Sequence, residues 1–300
     1  MLGQLMDLAL IVNPYASAVT EPRVRAVEVE LGRVAEVKTL LTERPGHGVE
    51  LAREAEADAI VVFSGDGGFN EVLNGVRDSQ PLGLLPGGGT NVMARALGLS
   101  RDPEAAAREV ADALAAGTTR TISVGRVNGR RFGFNAGVGF DAELVRRVDA
   151  LGRREDGRRP GDRAFIAAAT RLVAGRHARF EPALEVQGLG RAAFALVANC
   201  DPYSYAGRFA LHVAPEARFE LGLDLVAPRE VRGAAIARLL GYVVGGRGQK
   251  RAVDVLYEHD VDRIEIVCDR PLPLQADGED LGDVESAVFE AERGAVSVLI

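Results

Sequence analysis

The stretch Ser64-Gly65-Asp66-Gly67-Gly68-Phe69-Asn70-Glu71 carries the residue types that anion chemistry needs. It follows five apolar residues, 59–63, which read as a short strand buried on both faces, as in a parallel sheet. After it, Phe69, Val72, Leu73 and Val76 recur at the spacing of one helix face. The glycines therefore sit where a strand ends and a helix begins. Backbone N–H groups are unpaired there, and the helix dipole favours an anion. Glycine lets that backbone come close to phosphate oxygens. A carboxylate inside such a loop, Asp66, suits a metal ion or the removal of a proton from a hydroxyl. Taken alone, the pattern fits a plain tight turn with an exposed Asp equally well.

A second loop of the same kind shifts the balance. Residues 82–85 read as another buried strand and run into Pro86-Gly87-Gly88-Gly89-Thr90-Asn91, after which Val92, Met93, Ala96 and Leu97 mark a helix. Two glycine loops at adjacent strand ends face one crevice, where open α/β sheets bind ligands. A third cluster, Gln275-Ala276-Asp277-Gly278-Glu279-Asp280, lies between strand-like runs and reads as a loop. It is either a solvated acidic turn or a carboxylate pair delivered to the crevice from a second domain.

The elements that must position these loops alternate. Strands over 8–12 and 35–41 and helices over 24–31 and 46–56 precede the first glycine loop, and a helix capped by Asp102-Pro103 closes at Gly117. Such alternation implies a mainly parallel sheet. Beyond Thr118 the pattern changes to short strands: 119–125 and 131–135 around an Asn128-Gly129 turn, then 184–187, 193–198, 223–226, 261–267, 284–290 and 296–300. Helices are expected after Gly139, over 161–175 and over 231–244. The fold class is thus α/β plus β: a mainly parallel α/β domain over 1–120 and an antiparallel, β-rich domain with a few helices over 121–300, whose last strand is free to return to the first domain.

Three hundred residues, 47% apolar and 26% charged, are those of a soluble globular chain. No apolar run approaches the roughly 20 residues of a membrane span, and the N-terminal stretch has neither a basic region nor a cleavage site of a signal peptide. Cys200 and Cys268 give no disulfide framework or metal spacing, which suits a reducing cytoplasm. A net charge of −7 argues against nucleic acid as a partner. Between Asp141 and Arg179, however, ten arginines face six acids. That stretch is either a solvated helix surface or a patch for anionic headgroups. The phosphate-loop, G-x-G-x-x-G, G-x-S-x-G and protein-kinase signatures are absent, and the four histidines are scattered. His47, beside Gly46 and Gly48, reads as a helix-start residue.

Taken together, Asn13-Pro14, Thr42 with Gly46-His47, Ser64-Gly65-Asp66-Gly67 with Asn70-Glu71-Val72, Gly88-Gly89-Thr90-Asn91 with Ala94-Arg95, Asn135-Ala136-Gly137-Val138-Gly139-Phe140-Asp141 and Asp277-Gly278-Glu279 resemble the bacterial diacylglycerol kinase and lipid kinase family over nearly the whole chain. That family is related to sphingosine kinases and more distantly to NAD kinases, and the resemblance implies that 1–120 is a Rossmann-like nucleotide-binding domain and 121–300 a β-sandwich-like domain. The resemblance implies ATP along Asn13, Thr42, Ser64, Gly65, Asp66, Gly67, Gly68, Asn70, Glu71, Gly88, Gly89 and Thr90, with Glu279 also contributing. It implies Mg²⁺, with Asp66 as the metal-side carboxylate, and Asp277 as the group that takes the proton from a lipid hydroxyl. Asp66 is the rival base, because sphingosine kinases assign that role to the Asp of this loop. Asn91 and Asp141 are the expected substrate contacts, and Phe140, Phe165, Ile166 and Tyr203 are candidates for an acyl-chain wall.

The chain departs from the family pattern at Gly68, where Thr is common, at Val92 and Ser123, where Asp is common, and near Glu220–Asp224, where the structural-metal match is missing. The expectation is an ATP- and Mg²⁺-dependent kinase of diacylglycerol. The alternatives are a sphingoid-base or other lipid kinase, and a homologue that binds nucleotide or lipid without turnover. The partner would be lipid at the inner membrane face, met peripherally by a cytoplasmic protein through the 146–179 region. Oligomeric state is open, a homodimer being one option.

Overall fold

The computed structural model describes residues 6–77, 80–152 and 162–300, without the side chains of 162 and 163. The chain forms two units, Met1–Ile122 with Gly294–Ile300, and Ser123–Arg293.

The first unit runs β1 (Met6–Val12), α1 (Glu21–Leu31), β2 (Ala35–Leu41), α2 (His47–Glu54), β3 (Ala59–Ser64), α3 (Asp66–Leu73), β4 (Leu82–Pro86), α4 (Val92–Ala96) and α5 (Pro103–Ala116). Its strands are parallel in the order β2-β1-β3-β4. β3 and β4 are buried at every position, which is why they read as unbroken apolar runs. Alternate residues of β1 serve opposite faces: Leu8, Leu10 and Val12 pack with Val27 and Leu31 of α1 and Val110 and Leu114 of α5. The order reverses at β1, with β2 on one side and β3 on the other. Crevices at the carboxyl ends of strands open at such reversals.

The second unit continues with β5 (Arg120–Val127), β6 (Arg130–Phe132), β7 (Asn135–Val138), α6 (Phe140–Asp149), α7 (Asp162–Gly175), β8 (Arg179–Phe180), β9 (Leu184–Val186), β10 (Gly190–Ala192), β11 (Ala195–Ala198), β12 (Ser204–Ala206), β13 (Phe209–Leu211), β14 (Leu223–Pro228), β15 (Val231–Arg232), α8 (Ala234–Gly245), β16 (Val255–Val261), β17 (Arg263–Ala276) and β18 (Glu279–Val298). β5 and β18 start in one unit and finish in the other. The main ladder is antiparallel, in the order β16-β14-β11-β7-β17-β18. Its core includes Phe132, Leu184, Val197, Leu225, Ile266 and Phe289. At the far end of β18, Val298 pairs in parallel with Leu82 of β4, and Leu299 is buried among the core residues of the first unit.

Two sequence readings change. The cluster at 275–280 is not a free loop: Gln275 pairs with Asp280 and Ala276 with Glu279, leaving Asp277-Gly278 as a two-residue hairpin turn. Both turn residues have positive φ, 49° and 76°, which Asp-Gly accommodates at little cost. The strand expected over 131–135 breaks into β6 and β7, and Gly137-Val138 belongs to β7 rather than to a helix lead-in. Among the described residues no helix is long and apolar enough to cross a membrane.

Candidate active site

In the first unit the residues after β1, β2, β3 and β4 lie at the same, carboxyl-terminal edge of the parallel sheet. Backbone hydrogen bonds tie them to one another. Asn13 N–H donates to Phe63 O, Thr42 N–H to Val12 O, Gly87 N–H to Ser64 O and Ala18 N–H to Gly87 O. Asn13 Oδ1 in turn accepts from Tyr15 N–H at 3.0 Å. The strand-order reversal thus falls between the Asn13 loop and the Ser64–Gly68 loop.

The two glycine loops touch backbone to backbone. A Cβ on Gly65 would sit 3.1 Å from Gly88 Cα, and one on Gly88 would sit 2.7 Å from Gly65 Cα. Asn91, itself at φ 51°, accepts from Gly88 N–H at 2.8 Å and donates to Gly88 O at 2.7 Å. Its amide is engaged in shaping the loop. No side chain caps the N-terminus of α3. An uncapped helix start beside a second glycine loop offers backbone donors at the positive end of the dipole, as a phosphate requires. Asp66 Oδ1 accepts from Met93 N–H at 3.4 Å, linking the first residue of α3 to α4. Glu71 turns the other way: its two oxygens accept from Gly46 and Gly48 N–H at 2.8 and 2.9 Å and so cap α2, whose first residue is His47. Asn70 is buried and takes a bond from Asn74 through its backbone oxygen.

Gly68 has a local explanation. A Cβ there would fall 2.1 Å from Ser64 Oγ and 2.6 Å from Ser64 Cβ. Ser64 therefore fills the space that a side chain at 68 would need. Ser64 is 1% exposed, and its buried hydroxyl has no hydrogen-bond partner among the described residues. A buried hydroxyl without a partner is costly, by about 1–3 kcal/mol, and suits a site completed by a ligand oxygen. The loop thus keeps the Ser64 hydroxyl and has none at position 68. Gly68→Thr on its own should destabilise the protein by roughly 1–3 kcal/mol through overpacking. Adding Ser64→Gly should recover most of that loss in a urea melt; purely additive effects would show that the two positions do not share this space.

In the second unit, Asp277 is 3% exposed. Its Oδ2 accepts from Gly133 N–H at 2.6 Å, and its Oδ1 from Phe134 and Asn135 N–H at 2.9 and 3.2 Å. The hairpin turn thereby holds the strand break between β6 and β7. Gln275 supports it from behind, its Oε1 accepting from Gly278 N–H at 2.9 Å. The Gln275 amide nitrogen donates to Asn135 Oδ1 at 3.0 Å and to Asp141 Oδ2 at 2.7 Å, and Tyr203 O–H also donates to Asp141 Oδ2 at 2.7 Å. Asp141 Oδ1 takes Ala142 N–H at 2.9 Å. Withdrawal from water pushes the Asp141 carboxyl above its ordinary range, while Tyr203, Gln275 and the Ala142 amide pull it back. Burial and the neighbouring Asp141 charge push the Tyr203 hydroxyl up. Glu279 is paired with Arg130. Arg146 binds Asp280 through two bonds, of 2.7 and 3.0 Å, and Asp283 through one of 2.6 Å, so α6 is clamped to the start of β18. That clamp holds the Asp280 carboxyl below its usual range.

Sequence reasoning named Asp277 and Asp141 but missed the Gln275–Asp141–Tyr203 network, whose members are 62 to 134 residues apart. Of the proposed acyl wall, Phe140 packs in a ring cluster with Phe180 and Phe194, Ile166 is exposed and Tyr203 faces Asp141. Among the described residues no group of three or more His, Cys, Asp or Glu is arranged to hold a metal ion.

Comparison with known proteins bears on both units. A model of the diacylglycerol kinase catalytic domain matches residues 7–127, and a model of the YegS C-terminal NAD kinase beta sandwich-like domain matches residues 135–300. A diacylglycerol kinase of Bacillus subtilis is 42% identical over 116 residues, which span 37% of this chain and 37% of that protein. One from Mycobacterium tuberculosis is 37% identical over 122 residues, 38% of each. These matches thus cover well under half the length of the curated relatives. The crystal structure of a diacylglycerol kinase from Bacillus anthracis superposes with a TM-score of 0.71 at 18% identity, covering 98% of this chain and 96% of that one. An NAD kinase from Archaeoglobus fulgidus in complex with ATP gives 0.54 at 14% identity, covering 98% and 93%. At these identities the structural likeness speaks for the fold alone. With the second model matching more than half of its length, and with Ser64-Gly65-Asp66-Gly67 and Asp277-Gly278-Glu279 both in built sites, the chain belongs to the diacylglycerol kinase and lipid kinase family.

Proposed function

We propose that the chain is an ATP-dependent kinase of a lipid hydroxyl, with diacylglycerol as acceptor and phosphatidic acid as product. The observation that carries this reading is the first unit's phosphate-type cradle: paired glycine loops in backbone contact, at an uncapped helix start, with the orphaned Ser64 hydroxyl beneath them. Phosphoryl transfer needs positioning and charge neutralisation more than covalent help. In this reading the triphosphate lies along Asn13, Thr42, Ser64–Gly68 and Gly88–Thr90. Glu71 and Asn91 act on the loops rather than on the nucleotide, because their polar atoms are engaged by Gly46, Gly48 and Gly88.

The acceptor oxygen forms its bond to the γ-phosphorus as the bond to the ADP oxygen breaks, and ADP leaves with that electron pair. The hydroxyl proton passes to Asp277, with Asp66 as the rival acceptor. Three backbone N–H bonds hold the Asp277 carboxylate in one orientation, but they also engage both of its oxygens in a side chain only 3% exposed, so proton transfer to it requires one of these bonds to give way. Asp66 is the only acid in the two glycine loops. One carboxylate together with substrate phosphates is a usual setting for magnesium, which would supply neutralisation of phosphate charge. Asp141 has its oxygens occupied by Tyr203, Gln275 and Ala142, which favours a neutral acceptor over the amine of a sphingoid base.

Incubation with γ-labelled ATP, Mg²⁺ and a panel of diacylglycerol, monoacylglycerol, sphingoid base and ceramide tests this. Label is expected in phosphatidic acid. Label in the sphingoid base alone would change the acceptor. No labelled lipid, with ATP still bound, would leave a binding homologue without turnover.

A further inference from the structure

The outward face of α8 has nothing in the described structure to cover it. Ile236, Leu239 and Val243 turn inward, onto Phe180, Phe194 and Val231 on one side and Val213 and Val226 on the other. A surface helix then normally shows charged residues to water. Here the outward positions are Ala234, Ala237, Leu240, Gly241 and Val244, with Arg238 the one charged residue and no acid anywhere in the helix. Leu240 is 59% exposed and Val244 68%. The hairpin β12–β13, which packs against α8, carries Phe209 near its turn, 63% exposed, with the Arg208 guanidinium over its ring.

The charge along this segment is mostly basic, although Arg238 pairs with Asp254 just beyond it. Between Arg229 and Arg251 there are six basic residues and one acid, in a chain of net charge −7. Lys250 pairs with Glu216, but Arg247 and Arg251 have no ion pair among the described residues. The arginine-rich stretch around α6 and α7 offers less. Arg146 is held by Asp280 and Asp283, Arg147 and Arg176 by Glu143, and Arg179 by Glu181, while residues 153–161 lie outside the described structure.

We infer that the outer face of α8, with Leu240 and Val244 at its centre and Arg247 and Arg251 at its C-terminal flank, docks the protein on a bilayer containing anionic lipid. An apolar helix face beside unpaired cations matches the interfacial boundary, where side chains enter the acyl region and arginines meet phosphates. A second copy of the chain is the rival occupant, and only a parallel two-fold pair would set the two basic flanks against each other. The inference rests on the lipid-kinase reading only for its purpose, which is to bring the enzyme to a substrate that stays in the membrane.

The chain has no tryptophan, so Leu240→Trp places a single reporter on the face. Vesicles of phosphatidylcholine with about a third phosphatidylglycerol, without nucleotide, should shift its emission to the blue and carry the wild-type protein in flotation, with weaker binding at high salt. Leu240→Asp with Val244→Asp should weaken partitioning at least about tenfold. Arg247→Glu with Arg251→Glu should abolish the preference for anionic over neutral vesicles. Both substitution pairs are at exposed positions and should leave a cooperative fold, with the melt lowered by only a few degrees for the aspartate pair, which should leave labelling of detergent-dispersed diacylglycerol unchanged. Unshifted emission from the Leu240→Trp variant, or vesicle binding that survives Leu240→Asp with Val244→Asp, would overturn the assignment. So would a wild-type dimer that the same pair dissociates, which would give the face to a second copy. Vesicle binding without any lipid phosphorylation would leave this inference standing and remove the kinase reading instead.

Discussion

Asp277→Asn should lower turnover about a hundred- to ten-thousandfold, the usual range for losing a positioned proton acceptor, while ATP still binds. The substitution reads two properties at once. Asn tolerates the positive φ of 49° at this turn, so the backbone has no reason to break. The side chain is different. Oδ2 serves Gly133 and Oδ1 serves Phe134 and Asn135. Whichever way an Asn amide turns, an NH₂ group then faces an N–H, and at least one buried donor loses its acceptor at a cost of about 1–3 kcal/mol. A lowered melting temperature is therefore expected together with the lost rate. Single-turnover rates with saturating ATP, measured where both proteins are folded, separate the two effects. Full activity in the variant would take the base assignment from Asp277 and pass it to Asp66, whose Asp66→Asn variant then becomes the decisive one.

Gly88→Ala should slow phosphoryl transfer about a hundredfold, the scale expected when reacting groups are misplaced by about an ångström, and should weaken ATP binding in the same direction. The added Cβ would lie 2.7 Å from Gly65 Cα and 3.0 Å from Asn91 Oδ1. The first contact is with backbone, so a loop must move rather than a flexible side chain. The Asn91 clamp on Gly88 would be pulled out of register in the same movement. The fold should lose roughly 1–3 kcal/mol. Gly89→Ala is the comparison: a Cβ there meets no protein atom within 4 Å, so the melt should be unchanged and any loss of affinity would report direct contact with the nucleotide. Turnover rates, titration calorimetry with ATP and a thermal melt of both variants check the contrast. Wild-type turnover and affinity in Gly88→Ala would show that backbone contact between the loops does not shape the nucleotide site.

The first unit was legible because each buried strand shows as an apolar run and each glycine loop marks a strand-to-helix change. Ala59–Ser64 and Leu82–Pro86 are buried throughout, so no outward polar residue interrupts the pattern. The long hairpin of the second unit was not legible. β17 and β18 alternate buried and exposed residues, and their outward Arg, Asp and Glu broke the apolar runs into short pieces. The turn signal was present in Asp277-Gly278, but the acids on either side made a ladder look like a loop. The reason for Gly68 could not be read from sequence either, because it lies in the direction of the Ser64 side chain four residues earlier. The unusual face of α8 was within reach: a helix without acids, followed by basic residues, is visible in the sequence once its inward positions are known.

The path of β18 has a consequence for how the protein is made. Gly294–Ile300 belong with the first unit, yet they are synthesised only after all of Ser123–Arg293. The nascent first 122 residues therefore leave the ribosome without the segment that pairs at Leu82, and β4 has an open edge until translation has passed the whole second unit. Open edges invite pairing with other chains, so this protein cannot follow the simple scheme in which an N-terminal domain finishes folding before the next begins. A gene fragment stopping near Ile122 would preserve that unfinished condition, whereas one that fuses Gly294–Ile300 behind it by a short linker would restore the missing neighbour.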